Sequence, residues 1–199
     1  QRRTAPRAPS ACSSTTAPPW TRRWTTGGRP YAIIAAQNGH AGVVGLLLDH
    51  GAAVDQAMND GRTPLYVAAQ KGHAGAVGLL LDNGAAVDQA MDDGWTPLLI
   101  AAQEGHAGVV DLLIAAGANV NDATVDEATP LYAAAHNGHS DVVEILIKSG
   151  ADLNRATNAG FTSLMMAAQN DHADIVDLLI ARGPGEEGRV DALIRRAQI

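Results

Sequence analysis

Apolar positions along the chain come in two alternating kinds of short run. Leu65, Tyr66, Val67, Ala68 and Ala69 form one kind; Ala76, Val77, Leu79, Leu80 and Leu81 form the other, striped at helical spacing. Thr63 stands before the first run with a hydroxyl that can cap a helix, and Pro64 suits the first helical position, where no amide donor is needed. Gly72 sits where a left-handed residue would stop that helix. The pattern then predicts a second helix from about His73 to Asp82, ended by Gly84. An extended stretch, Ala85 to Asp88, and a tight turn at Asp92-Asp93-Gly94 lead onward.

The whole motif recurs every 33 residues. Gly-His stands at 39–40, 72–73, 105–106 and 138–139, with Asp171-His172 continuing the count. Gly51, Gly84, Gly117, Gly150 and Gly183 form a second ladder, and Thr-Pro-Leu at 63–65, 96–98 and 129–131 a third, with Thr162-Ser163-Leu164 as a weaker copy. One such unit cannot bury its own apolar stripe, whereas stacked units can. The Ala-Ala pairs at 35–36, 68–69, 101–102, 134–135 and 167–168 allow close approach of the first helices.

This order of features resembles the ankyrin repeat. The resemblance covers about residues 32–183, in units of about 28–58, 59–91, 92–124, 125–157 and 158–183. It implies an all-α repeat solenoid of stacked helix-turn-helix units joined by β-turn or hairpin connections. Two departures stand out. The family's usual histidine after Thr-Pro-Leu is Tyr66, Leu99, Tyr132 and Met165 here, and Gly42, Gly45, Gly75, Gly78 and Gly108 lie inside second helices, each costing up to about 1 kcal/mol relative to Ala.

Composition narrows the picture. Apolar residues make up 46% of the chain but aromatics only 4%, so the core must be built from small and aliphatic side chains. Residues 1–31 carry six Arg and no acid, whereas residues 32–183 carry five Lys and Arg against 18 acids, a balance of −13. An acidic array argues against nucleic acid as a ligand. A lone Cys12 forms no intrachain disulfide, which fits a reducing compartment and a cytoplasmic or nuclear location. No run of 18 apolar residues occurs, so no membrane partner is expected.

No nucleophile, phosphate-loop or metalloprotease motif occurs. The recurring histidines at 40, 73, 106, 139 and 172 would lie about 8–10 Å apart in stacked helices, too far to share an ion, and are expected to bond loops. Acid pairs such as Asp92-Asp93 and Asp126-Glu127 sit where turns favour Asp. The expectation is therefore a non-enzyme with no cofactor, no metal and no small-molecule substrate.

Residues 1–31 lack the pattern in frame, but their possible codons permit it one nucleotide out of frame. A shifted codon takes the last base of one residue and the first two of the next. Trp20-Thr21 and Trp24-Thr25 are both forced to GAC, aspartate, four apart as Asp88 and Asp92 are. The other shifted codons permit A-Q-N-G-x-A-G-A-V-G-L-L-L-D-H-G-A-A-V-D-Q-A-M-D-D-G-R-T-P-L, failing only at x, where Ala5-Pro6 cannot encode His. The stretch is thus expected to be an out-of-frame remnant of another unit, with frame restored near Tyr31-Ala32. An authentic disordered arm or a targeting peptide are the alternatives. As a remnant, it makes no site of Cys12, Trp20, Trp24 or its arginines. It also leaves apolar surface around Ile33, Ile34 and Val43 uncovered on an otherwise monomeric chain, inviting fraying or self-association. At the other end, residues 184–199 break the pattern. Val190, Leu193 and Ile194 could form the face of a short capping helix, with Glu186 and Glu187 before it and Arg195 and Arg196 near its end.

The resemblance implies a protein–protein interaction scaffold that binds through turn tips and first helices, the family's concave face. The alternative is a regulatory or targeting module of a larger enzyme or membrane protein. Transferred by position, one ladder reads Arg62, Trp95, Ala128, Phe161, with Arg29 before it. A second reads Gln70, Gln103, His136, Gln169, and a third Lys71, Glu104, Asn137, Asn170. Trp95 and Phe161 are the expected anchors, since large aromatics bury much area at an interface. Asn121 and Asn154 occupy the position that asparaginyl hydroxylases modify in similar repeats, with Asp55 and Asp88 as weaker equivalents.

Overall fold

The computed structural model describes residues 30–182. The expectations for residues 1–29 and for the 184–199 tail lie outside the described residues. Ten helices follow in five pairs: α1 (Tyr31–Gln37) with α2 (Ala41–Asp49), α3 (Pro64–Gln70) with α4 (Ala74–Asp82), α5 (Pro97–Gln103) with α6 (Ala107–Ala115), α7 (Pro130–Asn137) with α8 (Ser140–Lys148), and α9 (Ser163–Gln169) with α10 (Ala173–Arg182). Among the described residues there is no strand. The first helices pack in one row, α1 through α9, and the second helices in another, α2 through α10.

Each first helix from α3 on starts the same way. The hydroxyls of Thr63, Thr96, Thr129 and Thr162 accept from the main-chain amides of Tyr66, Leu99, Tyr132 and Met165 at 3.1–3.3 Å. Such a cap contributes about 1 kcal/mol. Proline follows in α3, α5 and α7, but α9 has Ser163, whose buried hydroxyl has no hydrogen-bond partner. The first unit lacks the cap altogether, because Pro30 stands where threonine stands elsewhere.

The core runs between the two rows. Leu65, Leu80, Leu98, Leu99, Leu113, Leu131 and Leu146 are fully buried, each contributing roughly 1.5–3 kcal/mol by leaving water. The paired alanines are buried from Ala35 to Ala135, so the first helices meet over methyl groups. At the position of the family's histidine, Tyr66 and Leu99 are buried apolar filler.

Ile33 is not uncovered: it is 1% exposed and belongs to the core, since it occupies the same position as Tyr66 and Leu99, which face inward. Ile34 and Val43 are exposed, at 41% and 47%, and Leu46 joins them at 60%.

The units are joined by an interlock that places each Gly-His pair after the first in two joints. His73 Nε2 bonds the main-chain oxygen of Gln37 in the unit before, at 3.1 Å. His106 does the same to Gln70, His139 to Gln103 and His172 to His136. A carbonyl can only accept, so Nε2 carries the proton in each ring. The ring lies over the preceding unit's glycine: a Cβ at Gly72 would stand 2.7 Å from His106 Nδ1, and Gly72 also has φ +71°. A second joint lies beyond the second helices. The side-chain oxygens of Asp55, Asp88 and Asn121 accept from the amides of Ala86, Asn119 and Asp152, 31 residues on. Burial raises the Asp88 carboxyl, and the Asn119 amide opposes that shift.

Candidate partner-binding surface

The connections between units fold back as tight turns. The amides of Met58, Met91, Thr124 and Thr157 donate to the carbonyls of Arg62, Trp95, Ala128 and Phe161 at 2.9–3.1 Å. The expected tip ladder is therefore the closing residue of each turn, held by its own main chain. Its side chains differ in freedom. Arg62 is half-buried and joined to Asp60 at 2.6 Å, Trp95 is half-buried against the core, Ala128 is half-buried, and Phe161 is 43% exposed.

Successive tips are also tied to one another. The Val125 amide donates to the Asp93 carbonyl at 3.1 Å, and the Asn158 amide donates to Asp126 at 3.0 Å. Asn158 Nδ2 further donates to the Val125 carbonyl. Val125 is thus fixed between the turn that carries Trp95 and the turn that carries Phe161, with its side chain 64% exposed. It was absent from the ladders read from the sequence. The signal was present, since the equivalent positions are Asn59, Asp92 and Asn158 and only this unit puts an apolar residue there.

The same tip carries a further joint. Glu127 takes the place of the turn glycine with φ +64°, and its carboxylate pairs with Arg155 at the far end of its own unit. Arg155 also donates to the Asn121 carbonyl at 2.6 Å.

The first-helix ladders divide into residues with structural partners and residues without. Asn137 Nδ2 donates to Ala133 in its own helix, and Asn170 Nδ2 donates to the His136 carbonyl at 2.8 Å. The exposed His136 ring stacks on Tyr132, centroids 6.3 Å apart, which brings Tyr132, His136 and Asn170 together. Gln103 donates to its neighbour Glu104, and the main-chain oxygens of Gln70 and Gln103 serve the histidine interlock. Lys71 and Gln169 are exposed. Asn121 uses both ends of its amide, accepting from Asp152 and donating to Gly150, whereas Asn154 is exposed.

The electrostatics follow from burial and from two charged neighbours, the Asp93 carboxylate and the Arg62 guanidinium. Burial, then the Asp93 carboxylate, pushes the Tyr66 phenol up to about 12, and burial raises Tyr132, so both stay neutral hydroxyls. The Arg62 guanidinium holds Asp60 below the ordinary carboxylate range. Among the described residues no three His, Cys, Asp or Glu side chains gather as metal ligands would, and no helix is long and apolar enough to cross a membrane.

No curated protein matches the chain. A family model described as ankyrin repeats (3 copies) matches residues 32–124 and again residues 118–189. Thr caps, left-handed glycines, paired alanines and helix pairs at a period of 33 stand behind that match, and the chain belongs to the ankyrin-repeat family.

Proposed function

We propose that this chain is a protein-binding scaffold whose partner lies along the turn tips and first helices of residues 92–170, anchored on Trp95, Val125 and Phe161. Ankyrin repeats are in general protein–protein interaction modules, and the fold is typically non-enzymatic. One observation carries the finer reading. Val125 and Phe161 expose apolar surface on main chain that is stitched from tip to tip, and Trp95 is half-buried against the core in the preceding tip. Apolar side chains held without freedom to collapse lose little entropy on binding, which favours an anchor. Asp92, Asp93 and Asp126 are exposed around them, so a partner with a basic rim would be drawn in and aligned.

The test is retention of proteins from a native extract on the immobilised full chain, followed by affinity measurement for each retained protein. Trp95→Ala, Phe161→Ala and Val125→Asp should each weaken binding by about tenfold or more, equivalent to about 1.4 kcal/mol, with the thermal transition of the Val125 variant unchanged. Affinity that survives all three substitutions would remove the assignment.

A further inference from the structure

The first helix pair has one face for which every other pair has an occupant. Ile34 is 41% exposed, whereas Val67, Ile100, Ala133 and Met166 at the same position are 3–7% exposed. Val43 is 47% exposed, whereas Ala76, Val109, Val142 and Ile175 are at most 2% exposed. His40 is exposed, while His73, His106, His139 and His172 each bond a carbonyl of the preceding unit. Exposed apolar side chains and a histidine without its usual acceptor mark one interface with one half missing.

The codons that residues 1–31 allow can spell the missing half. The shifted codons of residues 1–31 permit a translation that matches in-frame residues 36–65 at all but three positions, those of His40, Val43 and Asn59. Apart from the six-codon Arg and Ser, each shifted codon has its second and third bases set by the following residue, so few amino acids are open at each place, and the repeat's residue is among them at 27 of 30. The shifted frame supplies a second helix, A-G-A-V-G-L-L-L-D, that corresponds to α2 and α4. Those two helices pack on each other, and the shifted helix would pack on α2 in the same way. It also supplies a glutamine in register with Gln37, whose main-chain oxygen would receive His40 as Gln37 receives His73.

We infer that the exposed face of α1 and α2 is the docking surface for a further ankyrin unit, read one nucleotide out of frame from the DNA of residues 1–31. That unit carries Thr-Pro at the start of α1 in place of the uncapped Pro30-Tyr31, and an arginine at the tip in register with Arg62. It lengthens the array by one rung and stands independently of where a partner binds.

Two experiments decide it. The first compares hydrogen exchange of the full chain with that of a full chain in which residues 1–32 are replaced by the thirty shifted-frame residues, so that the new Leu takes the place of Ala32 and the 36-residue spacing from the new Gln to His40 is kept. Amides of α1 and α2 should exchange at least about tenfold more slowly in the second chain, with α5–α8 unchanged. Equal exchange in α1 and α2 overturns the docking. The second is peptide mass spectrometry of the protein from its native source, together with resequencing of its DNA. Shifted-frame peptides are expected, and peptides from residues 1–31 on a confirmed uninterrupted frame overturn the encoding.

Discussion

The first helix pair and the third are spelled almost alike and behave as two different kinds of structure. Ile34 and Ile100 are the same residue at the same position, 41% and 3% exposed. Val43 and Val109 are 47% and 2% exposed. His106 bonds the preceding unit where His40 lies exposed, and Thr96 caps α5 where Pro30 leaves α1 without a side-chain cap. A unit of this type therefore owes its burial to position in the stack more than to its own residues, as expected where neighbours supply the stability.

The largest effect should come from that matched isoleucine pair. Ile100→Ala is expected to cost about 2–5 kcal/mol, since it opens a cavity in a close-packed place, and Ile34→Ala less than about 1 kcal/mol. Denaturant midpoints check both, and equal costs would break the comparison. Glycine substitution sharpens it next. Gly105 and Gly117 both have left-handed φ, at +76° and +93°, but a Cβ at Gly105 would lie 2.5 Å from His139 Nδ1 while one at Gly117 meets nothing within 4 Å. Gly117→Ala should cost about 1–2 kcal/mol from the backbone alone. Gly105→Ala should cost more and separate the unfolding of α1–α6 from that of α7–α10, visible as a broadened or two-step transition.

The smallest effect belongs to Asp60 and Arg62. Both side chains are about a third or more exposed, so the pair contributes well under about 1 kcal/mol. The Asp60 pKa is lowered from 3.8 in the folded chain, so its contribution is present above that value and is lost as pH falls through the lower, folded one. Asp60→Asn should leave stability nearly unchanged at neutral pH and remove a small part of its decline below pH about 4.

Much of this was legible in the sequence, because the elements within a unit are local. Thr63, Pro64 and Gly72 act on residues within four places of themselves, and their chemistry names the helix start and stop. What was not legible depends on register between units. The histidines were expected to bond loops, and the structure sends His73 to a helix-end carbonyl 36 residues back. Nothing in the letters of Asp55 shows that it holds the Ala86 amide, or that Asn121 serves Asp152 in the same way. Val125 lies outside the ladders because these were transferred by position from the family's binding positions, and it stands three residues before the tip residue Ala128. Its exposure follows from tip-to-tip bonds that only stacking creates. Ile33 was misjudged for the reverse reason: a residue beside an empty face need not point at it.

The histidine interlock has a consequence for how such a chain can change length. Each joint pairs residues at a constant offset: Gly72 under His106, Gln70 with His106, Asp88 with Asn119. A block of 33 residues removed or copied from any starting point, in the middle of a helix as readily as at a turn, regenerates every one of these pairings at the new seam. Unequal recombination within the gene thus has no forbidden phase, only a forbidden remainder. An insertion inside a helix that is not a whole multiple of 33 leaves some ring over a side chain instead of a bare Cα, whereas one at a turn tip can loop out.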